Sequence, residues 1–146
     1  MEEAAISIRE MDLGDAEFVA EIERSITKSE HKVDLVKAVQ EFIKKRDGIS
    51  YVATVGDKVV GYMICYILSA GFGIERSAWI ASLGVDPRYM GQGIGKRLAQ
   101  VVLDRCREKG IKNVFTSVRW DSVDLLSFFK TLGFDRSEFI NLKRSL

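Results

Sequence analysis

The stretch Val85-Asp86-Pro87-Arg88-Tyr89-Met90-Gly91-Gln92-Gly93-Ile94-Gly95-Lys96-Arg97-Leu98 decides the reading of this chain. It joins an apolar, strand-like run, Trp79 to Val85, to a helical pattern that opens at Ile94. Pro87 lacks an N–H, so the strand's ladder cannot continue unchanged and the chain turns. Glycines at 91, 93 and 95 let the backbone turn tightly and bring successive N–H groups toward a ligand, at the end of a helix whose dipole favours negative charge. Lys96 and Arg97 add positive charge. These are the requirements of a pyrophosphate cradle: donors with no side chains in the way, backed by a helix N-terminus. One or two glycines would suffice for a plain strand-to-helix connection, whereas three with a basic pair exceed what a turn requires.

Two other glycine-rich motifs fail on spacing. A Walker loop needs a glycine where Met90 stands and a Ser or Thr where Arg97 stands. A dinucleotide fingerprint needs its third glycine at the position of Lys96, at the opening of a Rossmann sheet that the order of elements does not supply.

Outward from this segment, the periodicity alternates between strand and helix. Ile6 and Ile8 alternate with polar neighbours and predict a short strand ending before Asp12. Asp12 or Gly14 then caps a helix with Ala16, Val19, Ala20 and Ile22 on one face, running to about Arg24. After the polar stretch Ser25 to Lys32, the residues Val33, Val36, Val39, Phe42 and Ile43 mark a second helix that ends near Asp47-Gly48. Tyr51 to Val55, Gly56-Asp57 and Val59 to Leu68 read as a hairpin, and Gly71 and Gly73 break the chain before the next strand.

Beyond the glycine turn, Ile94, Leu98, Val101, Val102 and Cys106 predict a helix to Lys109, stopped by Gly110. Val114 to Val118 gives a fifth strand. Ser122 caps a final helix that buries Leu125, Leu126, Phe128, Phe129 and Leu132 and closes at Gly133, and Phe139 to Lys143 forms a last extended segment. This order predicts an α/β fold with one mixed sheet, parallel and antiparallel pairs together, layered with helices.

Composition narrows the function classes. A chain of 146 residues is expected to form one domain, since separate cores need roughly 50 or more residues each. With 47% hydrophobic and 29% charged residues it reads as globular and not as disordered. The formal charge of +1, with basic and acidic side chains interspersed, offers nucleic acid no basic face. The apolar run Val59 to Phe72 is broken by glycines and falls short of the ~20 residues of a membrane span. Met1 to Arg9 lacks the basic-then-apolar order of a secretory signal, which makes the cytoplasm the expected compartment. Cys65 and Cys106 stand far apart with no His or Cys at ligand spacing, so neither a disulfide framework nor a metal site is expected.

The segment Val85 to Leu98 resembles the acetyl-CoA motif of the GNAT superfamily of N-acetyltransferases, and the order of elements agrees over essentially the whole chain. The later block Val118-Arg119, Ser122 and Phe128-Phe129-Lys130-Thr131-Leu132-Gly133-Phe134 is similar to the family's second signature. The resemblance implies a largely antiparallel sheet in which two parallel strands splay apart to admit the cofactor. It further implies that Gly91, Gln92, Gly93, Ile94, Gly95 and Lys96 hold the pyrophosphate through backbone amides. Leu83, Gly84 and Val85 would pair with the pantetheine arm. Gly84 suits the strand distortion there, since glycine in a strand marks a bulge or a close backbone approach.

The chain also departs from the family pattern. Met90 replaces the usual Gln or Arg, and Ser122 stands where many members carry a cofactor-facing asparagine, though a helix cap explains it equally. Phe129 takes the place of a tyrosine that protonates the leaving thiolate, and Ser117 that of a glutamate base. The acid and base therefore stay unassigned, with Ser82, Ser117, Glu75, Asp86, Tyr66 and His31 as polar candidates, each also explicable as structural. Twelve residues after Phe134 leave the acceptor site open or completed by a second subunit of a homodimer. The expected activity is transfer of an acetyl group from acetyl-CoA to an amine, a peptide or protein amine before a small molecule. A non-catalytic acyl-CoA-binding module is the alternative.

Overall fold

The computed structural model describes residues 5–27, 32–44, 48–69 and 75–146. His31, Asp47, Gly71 and Gly73 lie outside them. Strands β1 (Ile6–Glu10), β2 (Gly48–Val55), β3 (Lys58–Leu68), β4 (Ser77–Val85) and β5 (Val114–Thr116) form one sheet in sequence order. Helices α1 (Ala16–Thr27), α2 (Lys32–Lys44), α3 (Ile94–Glu108) and α4 (Val123–Thr131) complete the described fold. Among the described strands only β4 and β5 run parallel, joined by the α3 crossover, and the other pairs are antiparallel, which gives the mixed sheet that the sequence predicts.

Alternation along β3 divides the core. Met63 and Cys65 face α3 and meet Ala53, Ala78, Ile80, Leu98, Val102 and the ring of Phe129. Tyr62 and Ile64 point the other way, to Val19 and Ile22 of α1 and Val39 of α2. Each large side chain buried this way contributes about 1.5–3 kcal/mol.

Four boundaries differ from expectation. The second strand begins earlier than expected: β3 extends far enough to pair Tyr66 with Gly48, and the ladder recruits residues 48–50, burying Ile49. α1 runs on to Thr27. β5 is three residues long because β4 leaves it after Ile80. No strand follows α4 among the described residues. The segment Phe139 to Lys143 instead touches β5 and the residue after it through side chains, Phe139 edge-on to Phe115 at 6.0 Å and Asn141 Nδ2 donating to Ser117 Oγ at 2.8 Å.

The entry into α1 is fixed by Asp15. The helix is preceded by a tight turn, Leu13–Asp15, where Asp15 is only 4% exposed. Its carboxylate accepts from Arg9 Nη1 and Nη2 and from the Asp12 N–H, each at 2.8 Å. Burial alone would raise the Asp15 pKa, but the Arg9 hydrogen bonds and charge together with the Asp12 amide outweigh it and hold the carboxyl below its ordinary value. The folded protein thus binds this proton less readily than the unfolded chain. The resulting stabilisation is complete above the unfolded value of ~3.9 and is lost as pH falls through the lower folded value. Arg9→Ala is expected to cost about 2 kcal/mol at neutral pH, measured by urea unfolding, and to flatten the acid limb of the stability profile.

Candidate functional site

The site follows from where β4 parts from β5. Their ladder holds only Ala78, Ile80 and Trp79 against Val114, Thr116 and Phe115, with the Trp79 and Phe115 rings stacked at 4.8 Å. Thr116 Oγ1 donates to the Ile80 carbonyl at 3.0 Å and closes the last pair. Immediately afterwards the β3–β4 register shifts: Cys65 pairs with Ile80 and Ile64 with Ser82, leaving Ala81 as the extra residue of a bulge. A bulge bends and twists its strand. From Ser82 to Val85, β4 has a partner among the described residues on the β3 side alone, and the predicted splay is this open flank.

The bulge therefore sits at Ala81 and not at Gly84. Gly84 is in regular register with Tyr62, and its role is close approach. A Cβ there would lie 2.8 Å from Tyr62 Cε1 and 2.8 Å from Ile26 Cδ1, so glycine is what lets α1 and the Tyr62 ring settle onto the strand.

The chain then turns through Asp86. Its carboxylate accepts from the Arg88 N–H at 3.0 Å, Nε at 3.2 Å and Nη2 at 2.9 Å, and Arg88 holds it below the usual carboxylate range. Its own N–H donates to the Val60 carbonyl at 2.8 Å. Asp86 is a structural hinge of the turn and a poor proton acceptor.

Past Met90, which is exposed, Gly91 and Gly93 adopt φ of 82° and 75°, the left-handed region that glycine enters without strain. A Cβ at either would meet nothing within 4 Å, so backbone conformation and not crowding selects glycine there. Gly93 is the N-cap of α3, and its carbonyl accepts the first helical bond, from the Arg97 N–H at 3.0 Å. Helix geometry leaves the N–H groups of Gly93, Ile94, Gly95 and Lys96 without helical acceptors. Gly91, Gln92, Gly93 and Lys96 are exposed, and Ile94 is buried beneath them as the anchor of the turn. Gly95 has a separate reason: a Cβ there would stand 3.4 Å from the Phe128 ring, so this glycine seats α4 against α3. The donor set fits a pyrophosphate, being a run of free amides at a helix N-terminus with two basic side chains beside it.

The remaining polar candidates separate. Ser122 occupies the N-cap of α4 but makes no capping bond through its side chain. Ser117 accepts from Asn141. Tyr66 stacks on Phe42 at 5.7 Å, and Glu75 is exposed ahead of β4. Phe129 is 4% exposed, edge-on to Phe128 and Phe134, and lines a cavity of about 600 Å³ between β5, α4 and the C-terminal segment. Ser82 is placed beside the bulge and shares a 2.8 Å hydrogen bond with the Tyr62 hydroxyl. Burial pushes the Tyr62 phenol well above its ordinary value, partly offset by Ser82 and reinforced by the charge of Glu23. Glu23, half-buried on α1, is itself raised by burial.

Sequence reasoning missed Tyr62 and Thr116. A signal existed for Tyr62, since a tyrosine that alternates with buried aliphatics must find a partner for its hydroxyl.

Comparison with known proteins agrees with this geometry. The profile of the Acetyltransferase (GNAT) family matches residues 16–134. N-alpha-acetyltransferase 30 of Schizosaccharomyces pombe is 30% identical over 95 residues, 65% of this chain and 63% of that protein. N-alpha-acetyltransferase RimI of Mycobacterium tuberculosis is 40% identical over 57 residues, 39% of this chain and 34% of that protein. The matches thus span less than two thirds of these relatives' lengths. Among solved structures, the aminoglycoside N-acetyltransferase AAC(6')-Iy in complex with CoA superposes with a TM-score of 0.84 at 16% identity, covering 99% of this chain and 97% of that one. A splayed β4–β5 pair, a glycine turn into α3 and a family profile over most of the length agree, and the chain belongs to the GNAT acetyltransferase family.

Proposed function

We propose that the protein transfers an acetyl group from acetyl-CoA to a primary amine of a peptide or protein, by direct attack and without a covalent enzyme intermediate. The observation that carries this reading is the continuity of the open flank of β4 with the free amides of the glycine turn. Bound along that path, acetyl-CoA supplies a thioester whose carbonyl carbon an amine can attack. Gly91, Gln92, Gly93, Ile94, Gly95 and Lys96 hold its pyrophosphate, chiefly through backbone N–H groups. Leu83, Gly84 and Val85 offer the arm a strand edge that β5 has left unpaired. Ser122, with no cap to make, has its hydroxyl free for the same ligand.

Holding the amine in line with the thioester supplies a large share of the rate, and a peptide α-amine with a pKa near ~7.7–8.0 is partly neutral at physiological pH. The preference for a peptide amine is supported by the two N-alpha-acetyltransferase relatives. A cytoplasmic site of action accords with the two free, buried cysteines; no helix among the described residues is long and apolar enough to cross a membrane. Thiol release measured across peptide, lysine and aminoglycoside acceptors, beside calorimetric titration with CoA, tests the reading. CoA binding without acceptor-dependent thiol release from any of them would identify a non-catalytic acyl-CoA-binding module instead.

Phe129 provides a finer prediction. Its ring cannot donate a proton, and Phe129→Tyr adds a phenol at the wall of a cavity with room for it. The expected result is a rise of about tenfold in steady-state turnover, short of the ~10²–10⁴ of a well-positioned general acid because the neighbouring rings restrict the side chain. An unchanged rate in a folded, CoA-binding variant would show that solvent already protonates the thiolate fast enough.

A further inference from the structure

Two large aliphatic side chains stand in solvent beside the open edge of the sheet. β5 is the last strand in order, and no described strand pairs with its outer side. The segment beyond Phe134 reaches it through alternate residues, the Phe139 ring edge-on to Phe115 and the Asn141 amide donating to Ser117. Successive side chains of an extended segment point to opposite sides, so Ile140 and Leu142 face away from their own protomer, and they are 77% and 89% exposed. Glu138 stands two residues before this pair and Arg144 two residues after it. Both are exposed, and neither has an ion-pair partner among the described residues. At a spacing of two, the segment reads acid, apolar, apolar, base.

We propose that residues 138–144 form the seam of a homodimer, in which a second copy of this chain packs antiparallel on the Ile140–Leu142 face. The pattern is complementary to itself only when reversed. A two-fold axis at Asn141 sets Ile140 against the partner's Leu142 and Glu138 against the partner's Arg144, and each pair occurs twice, as an isologous contact requires. A parallel arrangement would oppose Glu138 to the partner's Glu138 and Arg144 to the partner's Arg144. Sliding the antiparallel pair by two residues sets a charge against an aliphatic side chain, either Glu138 against the partner's Leu142 or Ile140 against the partner's Arg144. Charge thus fixes both orientation and register, and burial of the aliphatic pair supplies the attraction. So short a seam buries less than the roughly 1,200–2,000 Å² of a stable interface, so the dimer is weak and reversible, with a Kd of about 10 µM. Residues 135–138, at the head of the same segment, wall the cavity of about 600 Å³ together with Phe129, and the second copy steadies that wall. The dimer needs no CoA and does not depend on acetyl transfer.

Sedimentation equilibrium of the full chain without CoA, from about 1 to about 200 µM, tests the seam. The wild type is expected to pass from monomer to dimer across this range. Ile140→Asp places a charge in the aliphatic pair and is expected to weaken association about a hundredfold. Glu138→Arg opposes two arginines at each end and is expected to weaken it about tenfold. Adding Arg144→Glu to Glu138→Arg exchanges the two charges, so the double variant is expected to associate within about twofold of the wild type. All three positions are exposed, and thermal unfolding by circular dichroism is expected to stay unchanged in every variant. A wild type that remains monomeric throughout overturns the proposal. So does a dimer indifferent to Ile140→Asp, or a double variant that associates no better than Glu138→Arg alone. Failure of CoA to bind in calorimetry would overturn the acetyl-transfer reading and leave the seam standing.

Discussion

Gly93→Asp is expected to weaken CoA binding about a hundredfold while leaving the fold intact, and the reasons for both halves lie in the same backbone position. Gly93 has φ 75° and ψ 16° and caps α3, with open space where a side chain would go. Asp is among the residues that tolerate this left-handed conformation, so the conformational cost is about 1–2 kcal/mol and not a loss of the fold. Thermal unfolding should therefore shift by only a few degrees. The ligand meets a different situation. The new carboxylate occupies the place where the helix dipole and the free amides of Ile94, Gly95 and Lys96 would receive a phosphate. Two unit charges ~4 Å apart at an effective dielectric of ~20 repel by roughly 4 kcal/mol. Solvent and salt reduce that to about 2–3 kcal/mol, close to a hundredfold in Kd. Gly93→Asn carries the same shape without the charge and should lose much less. Calorimetric titration of the three proteins with CoA measures the series, and equal affinities in folded Gly93→Asp and wild type would remove the cradle from this turn.

The glycine turn was legible because its signals are local. Positive φ, a missing proline donor and a helix N-terminus all act within a few residues, and Gly91, Gly93, Pro87 and Ile94 stand where the sequence places them. The faces of α1 and α3 were legible for the same reason, Val19, Leu98 and Val102 being buried as their spacing predicts, whereas on α4 Phe129 is buried but Leu126, expected inside, is 38% exposed. What the sequence leaves open depends on long-range register. Ala81 has nothing in its chemistry that marks a bulge; it becomes the extra residue only because β3 and β4 shift by one beyond Cys65 and Ile80. The strand expected near Phe139 fails for a related reason. The segment is held by the Phe139 ring on Phe115 of β5 and the Asn141 amide on Ser117 just after it, and side-chain anchors of that kind do not require a backbone ladder.

The site residues divide along the same line. Gly93 and Gly95 look alike in the sequence, yet one is selected by its dihedral angles and the other by the Phe128 ring that rests on it. Tyr62 and Ser82 come from two strands, and their pairing follows from the antiparallel register of β3 and β4. A periodicity argument can place each on a face, but it cannot bring a hydroxyl within 2.8 Å of another across a strand pair.

Gly84→Val is expected to destabilise the fold by about 3 kcal/mol, at the upper end of what overpacking costs. The added Cβ would fall 2.8 Å from the Tyr62 ring, 2.8 Å from the tip of Ile26 and 3.3 Å from Ile22 Cγ2. Ile26 can yield, since its δ-methyl is the end of a flexible side chain and the residue is 42% exposed. Tyr62 cannot yield as easily: it is 1% exposed, packed among the α1 and α2 contacts, and tied to Ser82. Relief of the clash must therefore lift α1 or swing the ring, and a swung ring breaks a buried hydroxyl bond whose loss costs a further ~1–3 kcal/mol if the hydroxyl stays unsatisfied. Gly84→Ala has the same Cβ without the two methyls and should show a smaller cost in urea unfolding. Adding Tyr62→Phe separates the two sources of strain. If displacement of the tyrosine hydroxyl is part of the penalty, the Gly84→Ala cost will be smaller in the Tyr62→Phe background than in the wild type. If the cost is the same in both backgrounds, loss of the hydroxyl bond is no part of it and the crowding against the ring and α1 carries the whole penalty.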